Sequence, residues 1–262
     1  MNEYNNVDYF SFQKLNQENG LQWIEKEKKS SSDYKNSTIF TGIHKNGQKL
    51  LCLKKIPLGN IDFEHINQPS LQGENITVWR EIIITKKLQE IHRSNHSSNF
   101  VHYYTSFMIY EENDEPFIAL LFDYVPFTLH ELLNIASFTV DDETEFLLQF
   151  SFLMMYMDTV GIHHKDIHWK NIMVDIPLKP KKLHLQYKNL DIETCPQKKI
   201  FYMIDYGCSE IRSDKSNFHE WREFLSTMFN GNHPILKCQS YADVFKYFHE
   251  KNMWTFVKKK II

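Results

Sequence analysis

The change in hydrophobic periodicity along the chain constrains the fold more than any other feature. Near the start, short runs alternate or cluster β-branched and aromatic residues: LQWIEKE from Leu21, STIFTGIH from Ser37 and QKLLCLKKI from Gln48. Polar clusters separate them, KSSSDYKNS and KNG, which are turn signals. These runs read as three antiparallel strands. Residues 57–75 read as a loop. ITVWREIIITKKLQEIHR reads as a helix, with Val78, Ile82, Leu88 and Ile91 spaced among charges. The segment Phe100–Val125 reads as a hairpin with EENDEP at its turn. The second half changes texture. Leu129–Asn134 and Asp142–Val160 read as helices, with Gly161 ending the second, and helical patterns return from Asn217 to Phe256. A loop rich in Lys and Pro precedes the strand KIFYMIDYG. Strands with one helix followed mostly by helices is an α+β order. It implies two lobes, 21–124 and 125–262, after a polar arm over 1–20.

Composition removes several classes. With 262 residues, 42% hydrophobic and 24% charged, the chain can bury a core without disulfides or metals. Aromatics at 15% argue against disorder. A net charge of −3 gives no global sign of nucleic-acid binding. Cys52, Cys195, Cys208 and Cys238 form no Cys-x-x-Cys pair, so they read as reduced thiols of an intracellular protein, cytoplasmic or nuclear. No secretory signal is visible, and the richest apolar run, Phe146–Met157, falls short of the about 20 residues a membrane span needs. That run reads as a core helix.

The chemistry concentrates in His164-Lys165-Asp166-Ile167-His168-Trp169-Lys170-Asn171. An Asp precedes an Asn by five residues, directly before the apolar run Ile172-Met173-Val174, and a later apolar run ends in Asp205-Tyr206-Gly207. This string resembles the catalytic loop and the metal-binding motif of protein kinases. In such a site one Asp accepts the proton of a substrate hydroxyl. An Asn amide oxygen and a second carboxylate hold Mg²⁺, as hard oxygen ligands do.

The resemblance extends upstream. Leu51-Cys52-Leu53-Lys54 has the form of the kinase third strand, so Lys54 is expected at the ATP phosphates, with Glu81 as its ion-pair partner. Lys55, next door, is an alternative for that role. Phe122-Asp123-Tyr124-Val125 is similar to the segment linking kinase lobes. By that match Asp123 and Val125 offer main-chain groups to adenine, with Phe122 behind the base. Ile39, Ser32 and Ser37 fall where the nucleotide lid is expected. The helix EIIITKKL and the His168-Trp169 pair resemble the haspin-type kinases. The resemblance covers roughly Leu21 to Ile211. It implies a bilobal kinase fold with an antiparallel-sheet N-lobe carrying one helix, and a mostly helical, shortened C-lobe. It also implies Mg-ATP as donor, and Ser or Thr of a protein as acceptor, a histone or another basic protein among them. The expected catalytic set is Asp166, Lys54, Glu81 and His168, with His168 a donor near the transferring phosphate. Asn171 and Asp205 are expected to ligate the metal. The expected state is a monomer, free of membranes. Compact kinases of large DNA viruses or reduced intracellular parasites are similar, which adds a host cell or virion as a location.

The departures are specific. Ser32-Asp33-Tyr34-Lys35-Asn36-Ser37 has no glycine where kinases have a glycine-rich loop. Lys165 stands where an Arg is usual, and Cys208–Asn217 is too short for a long activation segment. These keep two alternatives open, a pseudokinase scaffold with weak nucleotide binding and a small-molecule kinase of the same fold. His163, His164 and His168 have a spacing that suits zinc on a helix, but the segment lacks a helical pattern, and a hydrogen-bonded structural role is expected for His164. Lys179, Lys181, Lys182, Lys198 and Lys199, and the tail Lys258–Lys260, read as solvated.

Overall fold

The structure, a computed structural model, describes residues 21–29, 37–44, 49–65, 71, 77–93, 99–109, 116–135, 138–187 and 190–259. It is a mixed α+β protein with antiparallel sheets and, among the described residues, six α-helices. The chain forms two compact units, Met1–Lys86 with His102–Val125, and Lys87–Val101 with Pro126–Ile262.

The first unit is built on a five-stranded sheet. Its strands are β1 (Leu21–Lys29), β2 (Ser37–His44), β3 (Lys49–Pro57), β4 (Tyr103–Ile109) and β5 (Phe117–Asp123), in the order β1-β2-β3-β5-β4. Alternation sorts the side chains between two faces. Ile56, Ile118 and Leu120 pack with Val78, Trp79 and Ile82 of helix α2 (Val78–Arg93), with Phe122 against them. Leu53, Phe107, Phe117 and Ala119 form the other face, with Phe40 and Leu121 packed on it. The expected loop over 57–75 contains a short helix, α1 (Asn60–Glu64). Its Asp62 is fully buried and explains the helix. One carboxylate oxygen accepts from Gly59 N–H at 2.8 Å and the other from Val78 N–H at 3.0 Å, at the start of α2. Trp79 Nε1 donates to the Asp62 carbonyl at 2.6 Å.

The second unit contains α3 (Leu129–Ile135), α4 (Val140–Thr159), α5 (Phe218–Met228) and α6 (Tyr241–Glu250). It also holds strands β6 (Phe127–Thr128), β7 (Ile162–His163), β8 (Ile172–Asp175), β9 (His184–Tyr187), β10 (Leu190–Thr194), β11 (Ile200–Met203), β12 (Glu210–Ile211) and β13 (Trp254–Lys259). Helix α4 is capped by a reciprocal pair. Asp142 N–H donates to Thr139 Oγ1 at 3.2 Å, and Thr139 N–H donates to Asp142 Oδ2 at 3.0 Å. The Phe146–Met157 run is its buried body, as expected of a core helix, with Tyr156 alone half-buried. Gly161 follows at φ +71°, and a Cβ there would lie 3.0 Å from the Arg212 carbonyl oxygen, so glycine is required twice over.

Three expectations about this half are corrected. The loop before KIFYMIDYG contains the hairpin β9–β10. The helical tail ends at Glu250, and Trp254–Lys259 pairs antiparallel with β10 as an edge strand. Lys198 and Lys199 are not simply solvated. Lys198 Nζ reaches Asp141 at 3.2 Å, Lys199 Nζ bonds Asp142, and Glu145 accepts from both backbone N–H groups at 2.9–3.0 Å. Asp141 and Asp142 in the first turn of α4, where a helix N-terminus favours carboxylates, and Glu145 in the next turn thus anchor this stretch. Among the described residues no helix is long and apolar enough to cross a membrane.

Candidate active site

Two constellations emerge, one in each unit. In the first, Lys54 and Leu120 are register partners, so Lys54 projects on the α2 face of the sheet. There its Nζ meets Glu81 Oε1 at 2.7 Å, with side-chain exposures of only 12% and 4%. Burial raises the Tyr103 phenol to about 12, and the nearby Glu81 charge pushes the same way. Lys55 falls on the opposite face, with Nζ 3.8 Å from the centroid of Phe117. Strand alternation therefore sets Lys54, and not Lys55, beside Glu81. Glu81→Gln keeps the shape and removes the charge. It is expected to cost about 1.5–3 kcal/mol, the worth of a hydrogen bond to a charged group, read as a lower urea midpoint.

At the end of β5, Asp123 N–H donates to the His102 carbonyl at 2.9 Å, so this N–H is committed within the unit. Tyr104 donates its phenolic proton to Asp123 Oδ1 at 2.6 Å, and that bond holds the phenol up at about 12. Phe122 is half-buried and lies 5.5 Å from the Tyr103 ring. Val125 is buried at the end of the unit, directly before Pro126. Ser37 is buried at the start of β2, and Ile39 is the register partner of Lys54. Ser32 lies outside the described residues.

The second constellation gathers Asp166, His168, Asn171 and, through His164, Asp205. A 3₁₀ turn, Trp169–Asn171, folds the chain back after Asp166. Asn171 Nδ2 donates to the Asp166 carbonyl at 3.0 Å and to its carboxylate at 3.2 Å. His168 Nδ1 accepts from Lys170 N–H at 3.2 Å, which places its ring proton on Nε2, 3.5 Å from Asp166 Oδ2. Asp166 and His168 are nearly half exposed, at 46% and 42%. A pocket of about 430 Å³ opens beside them, with Trp169, Glu223, Phe224 and Thr227 among its walls.

His164 ties the two motifs together. Its Nδ1 accepts from Asp166 N–H at 3.4 Å, so Nε2 carries the proton and donates to the Ile204 carbonyl at 3.0 Å, one residue before Asp205. Burial pulls this imidazole below the ordinary histidine range, against its bond to Ile204 and the charges of Asp205, Glu220 and Asp166. Ser209 Oγ donates to the His164 carbonyl at 3.2 Å. Lys165 and Asp205 both sit in the left-handed region, at φ 67° and 65°. Non-glycine residues rarely adopt it, and it persists where surrounding bonds over-determine the backbone.

Two carboxylates that sequence reasoning missed support this loop. Glu220, on α5, accepts from His164 N–H at 2.9 Å and Lys165 N–H at 3.2 Å. Glu210, only 7% exposed, receives Lys165 Nζ at 3.0 Å and Arg212 Nε at 3.3 Å. The spacing Asn217-x-x-Glu220 reads as a capping box, but Asn217 is used elsewhere. Its amide donates to the Ile162 and Met154 carbonyls at 3.0 and 3.3 Å, and it accepts from Tyr241 at 2.6 Å. Among the described residues no group of three or more His, Cys, Asp or Glu side chains could hold a metal ion. No protein-family model matches the sequence, and no curated protein matches it either.

Proposed function

We propose that the protein is a serine/threonine protein kinase, haspin-like and compact, that transfers the γ-phosphate of Mg-ATP to a protein hydroxyl. The observation that carries this reading is the Asp166–Asn171 clasp, a carboxylate oriented by an amide five residues on. Asp166 is half exposed and so open to an acceptor hydroxyl. It takes the hydroxyl proton as the oxygen bonds to the γ-phosphorus, and the β–γ bridging oxygen leaves with ADP. His168 presents a ring N–H on the same side of the carboxylate. Lys54, fixed by Glu81, grips the ATP phosphates.

The donor set fits Mg²⁺. Asn171 spends its amide nitrogen on Asp166, which turns its carbonyl oxygen the other way, and Asp205 adds a carboxylate in a turn fixed through His164. An amide oxygen and a carboxylate oxygen are hard donors of the kind Mg²⁺ takes, so Asn171 and Asp205 are the residues that would hold it. When bound, Mg²⁺ neutralises charge building on the transferring phosphoryl group.

The test is transfer of radiolabelled γ-phosphate to histones, casein and basic protein, with Mg²⁺ present or chelated. Label on Ser or Thr that disappears on chelation and returns with added Mg²⁺ is the expected result. Nucleotide binding without transfer to any acceptor would reduce the protein to a scaffold.

A further inference from the structure

We propose that Gln149 is a positioning residue for the metal ligands, its side-chain amide standing in for a neighbouring strand along the outer edge of β11 and so setting Asp205 against Asn171. The inference rests on the kinase reading, in which Asn171 and Asp205 hold Mg²⁺. Strand β11 is the edge of the sheet β11-β8-β6, and its register with β8 runs from Ile200↔Asp175 to Met203↔Ile172. That ladder brings the two ligands to one end. Asn171 directly precedes β8, and Asp205 lies two residues after β11. Ile204 N–H closes this end by donating to the Asn171 carbonyl at 3.0 Å. The placement of one ligand against the other therefore depends on how firmly β11 lies on β8.

Among the described residues the other edge of β11 meets no strand, only the single parallel bridge Phe100↔Met203. Side chains take the place of one. Gln149, on α4, is fully buried. Its Oε1 accepts from Phe201 N–H at 3.0 Å, and its Nε2 donates to the Lys199 carbonyl at 2.7 Å. A backbone N–H only donates and a carbonyl only accepts, so the partners fix which way the amide points. These are the bonds β11 would otherwise give to an adjacent strand. One turn earlier on α4, Glu145 accepts from Lys199 N–H at 2.9 Å. Four helical residues rise about 6 Å and two strand residues about 6.8 Å, so an i, i+4 pair on a helix matches the repeat of a strand edge. Asn99, also fully buried, continues the edge. Its Nδ2 donates to the Phe201 carbonyl at 2.8 Å and to Gln149 Oε1 at 2.9 Å, and its own carbonyl accepts from Met203 N–H at 3.4 Å. Gln149 Nε2 also donates to Gln197 Oε1 at 3.2 Å, and Gln197 Nε2 donates to the Cys195 carbonyl at 2.7 Å.

The outer edge from Lys199 N–H to Met203 N–H is thus held by α4 and Asn99, with Gln149 at its centre. Removing the Gln149 amide takes a partner from the Lys199 carbonyl and from Phe201 N–H at once, in a place water does not reach. The strand then loosens on the side away from β8. Asp205 feels this because it sits at φ 65°, a conformation that surrounding bonds must maintain. Its carboxylate loses its set against Asn171, and the hold on the metal weakens. The bonds from Asn171 Nδ2 to Asp166 are not part of this edge, so the chemical step is spared once enough metal is supplied.

The experiment compares wild type with Gln149→Met, which keeps the length of the side chain and loses its bonds, in two readouts on the full chain. Amide hydrogen exchange followed by NMR, without metal, is expected to be faster at Ile204 in the variant and unchanged at Leu53 of β3. The Mg²⁺ concentration that gives half-maximal transfer is expected to rise about tenfold, the lower end for groups that support a metal's ligands, with kcat at saturating Mg²⁺ nearly kept. Leu148→Ala, a core truncation on the same helix, is the control. It lowers stability and is expected to leave the Mg²⁺ demand unchanged. Gln149→Glu keeps an acceptor for Phe201 N–H and loses the donor to Lys199. It is expected to move both readouts in the same direction by less, and it carries the test if the methionine variant does not fold. Either readout unchanged in the folded Gln149 variants overturns the proposal and leaves the kinase reading intact, and so does an equal rise in Mg²⁺ demand in Leu148→Ala. A wild type that transfers phosphate to no acceptor overturns the kinase reading and this role with it.

Discussion

An Asp166→Asn protein is expected to fold like the wild type and to transfer phosphate roughly 10²–10⁴-fold more slowly, the usual worth of a positioned general base. The fold is spared because the stronger half of the clasp runs from Asn171 Nδ2 to the Asp166 backbone carbonyl, at 3.0 Å, and survives the exchange. An asparagine oxygen can still accept the second bond. What disappears is the capacity to take a proton. Single-turnover rates with saturating Mg-ATP, beside unchanged urea unfolding, would check both halves. A variant as fast as wild type would remove Asp166 from the chemistry.

The largest stability effect is expected at Trp221. Its side chain is fully buried, stacks on Phe218 at 5.1 Å, and donates through Nε1 to Ser151 Oγ at 3.0 Å. Trp221→Ala empties that volume and leaves the Ser151 hydroxyl without its donor. The expected loss is about 3–5 kcal/mol, the range for large-to-small changes in a core. Denaturant unfolding would read it, with Trp221→Phe falling between. Because Trp221 adjoins Glu220 on α5, the site and the core are joined at this helix, and the same variant should lower transfer activity.

Much of this arrangement was legible in the sequence because periodicity and burial agree there. STIFTGIH is β2 residue for residue, and the Phe146–Met157 run is the buried body of α4. Asp166, Asn171 and Asp205 were legible as a spaced string. Which of Lys54 and Lys55 meets Glu81 was not, since it depends on which face of β3 meets α2. Asp62, Glu210 and Glu220 were also hidden. Each is an ordinary acidic residue in its own segment and acquires its role from backbone N–H groups or cations distant in sequence. The β9–β10 hairpin escaped because the lysines and prolines that flank it, in Pro177–Lys182 and Pro196–Lys199, read as loop, and β13 escaped because it follows a helical pattern directly. Their pairing partners, not their own propensities, decide them.

The first unit is discontinuous in the chain, and this shapes how it comes into being. Strand β3 lies between β2 and β5, and β5 does not appear until well after the segment 87–101, which belongs to the other unit, has been made. A nascent chain emerging from the N-terminus can zip β1, β2 and β3 into a meander, but β3 then ends in an open edge with its Leu120 and Ala119 partners still unsynthesised. Edge strands left bare during synthesis invite pairing with other chains. The unit therefore closes only once Val125 is clear of the ribosome. Expression fragments cut before that point would carry Lys54 and Glu81 without the strand that covers them.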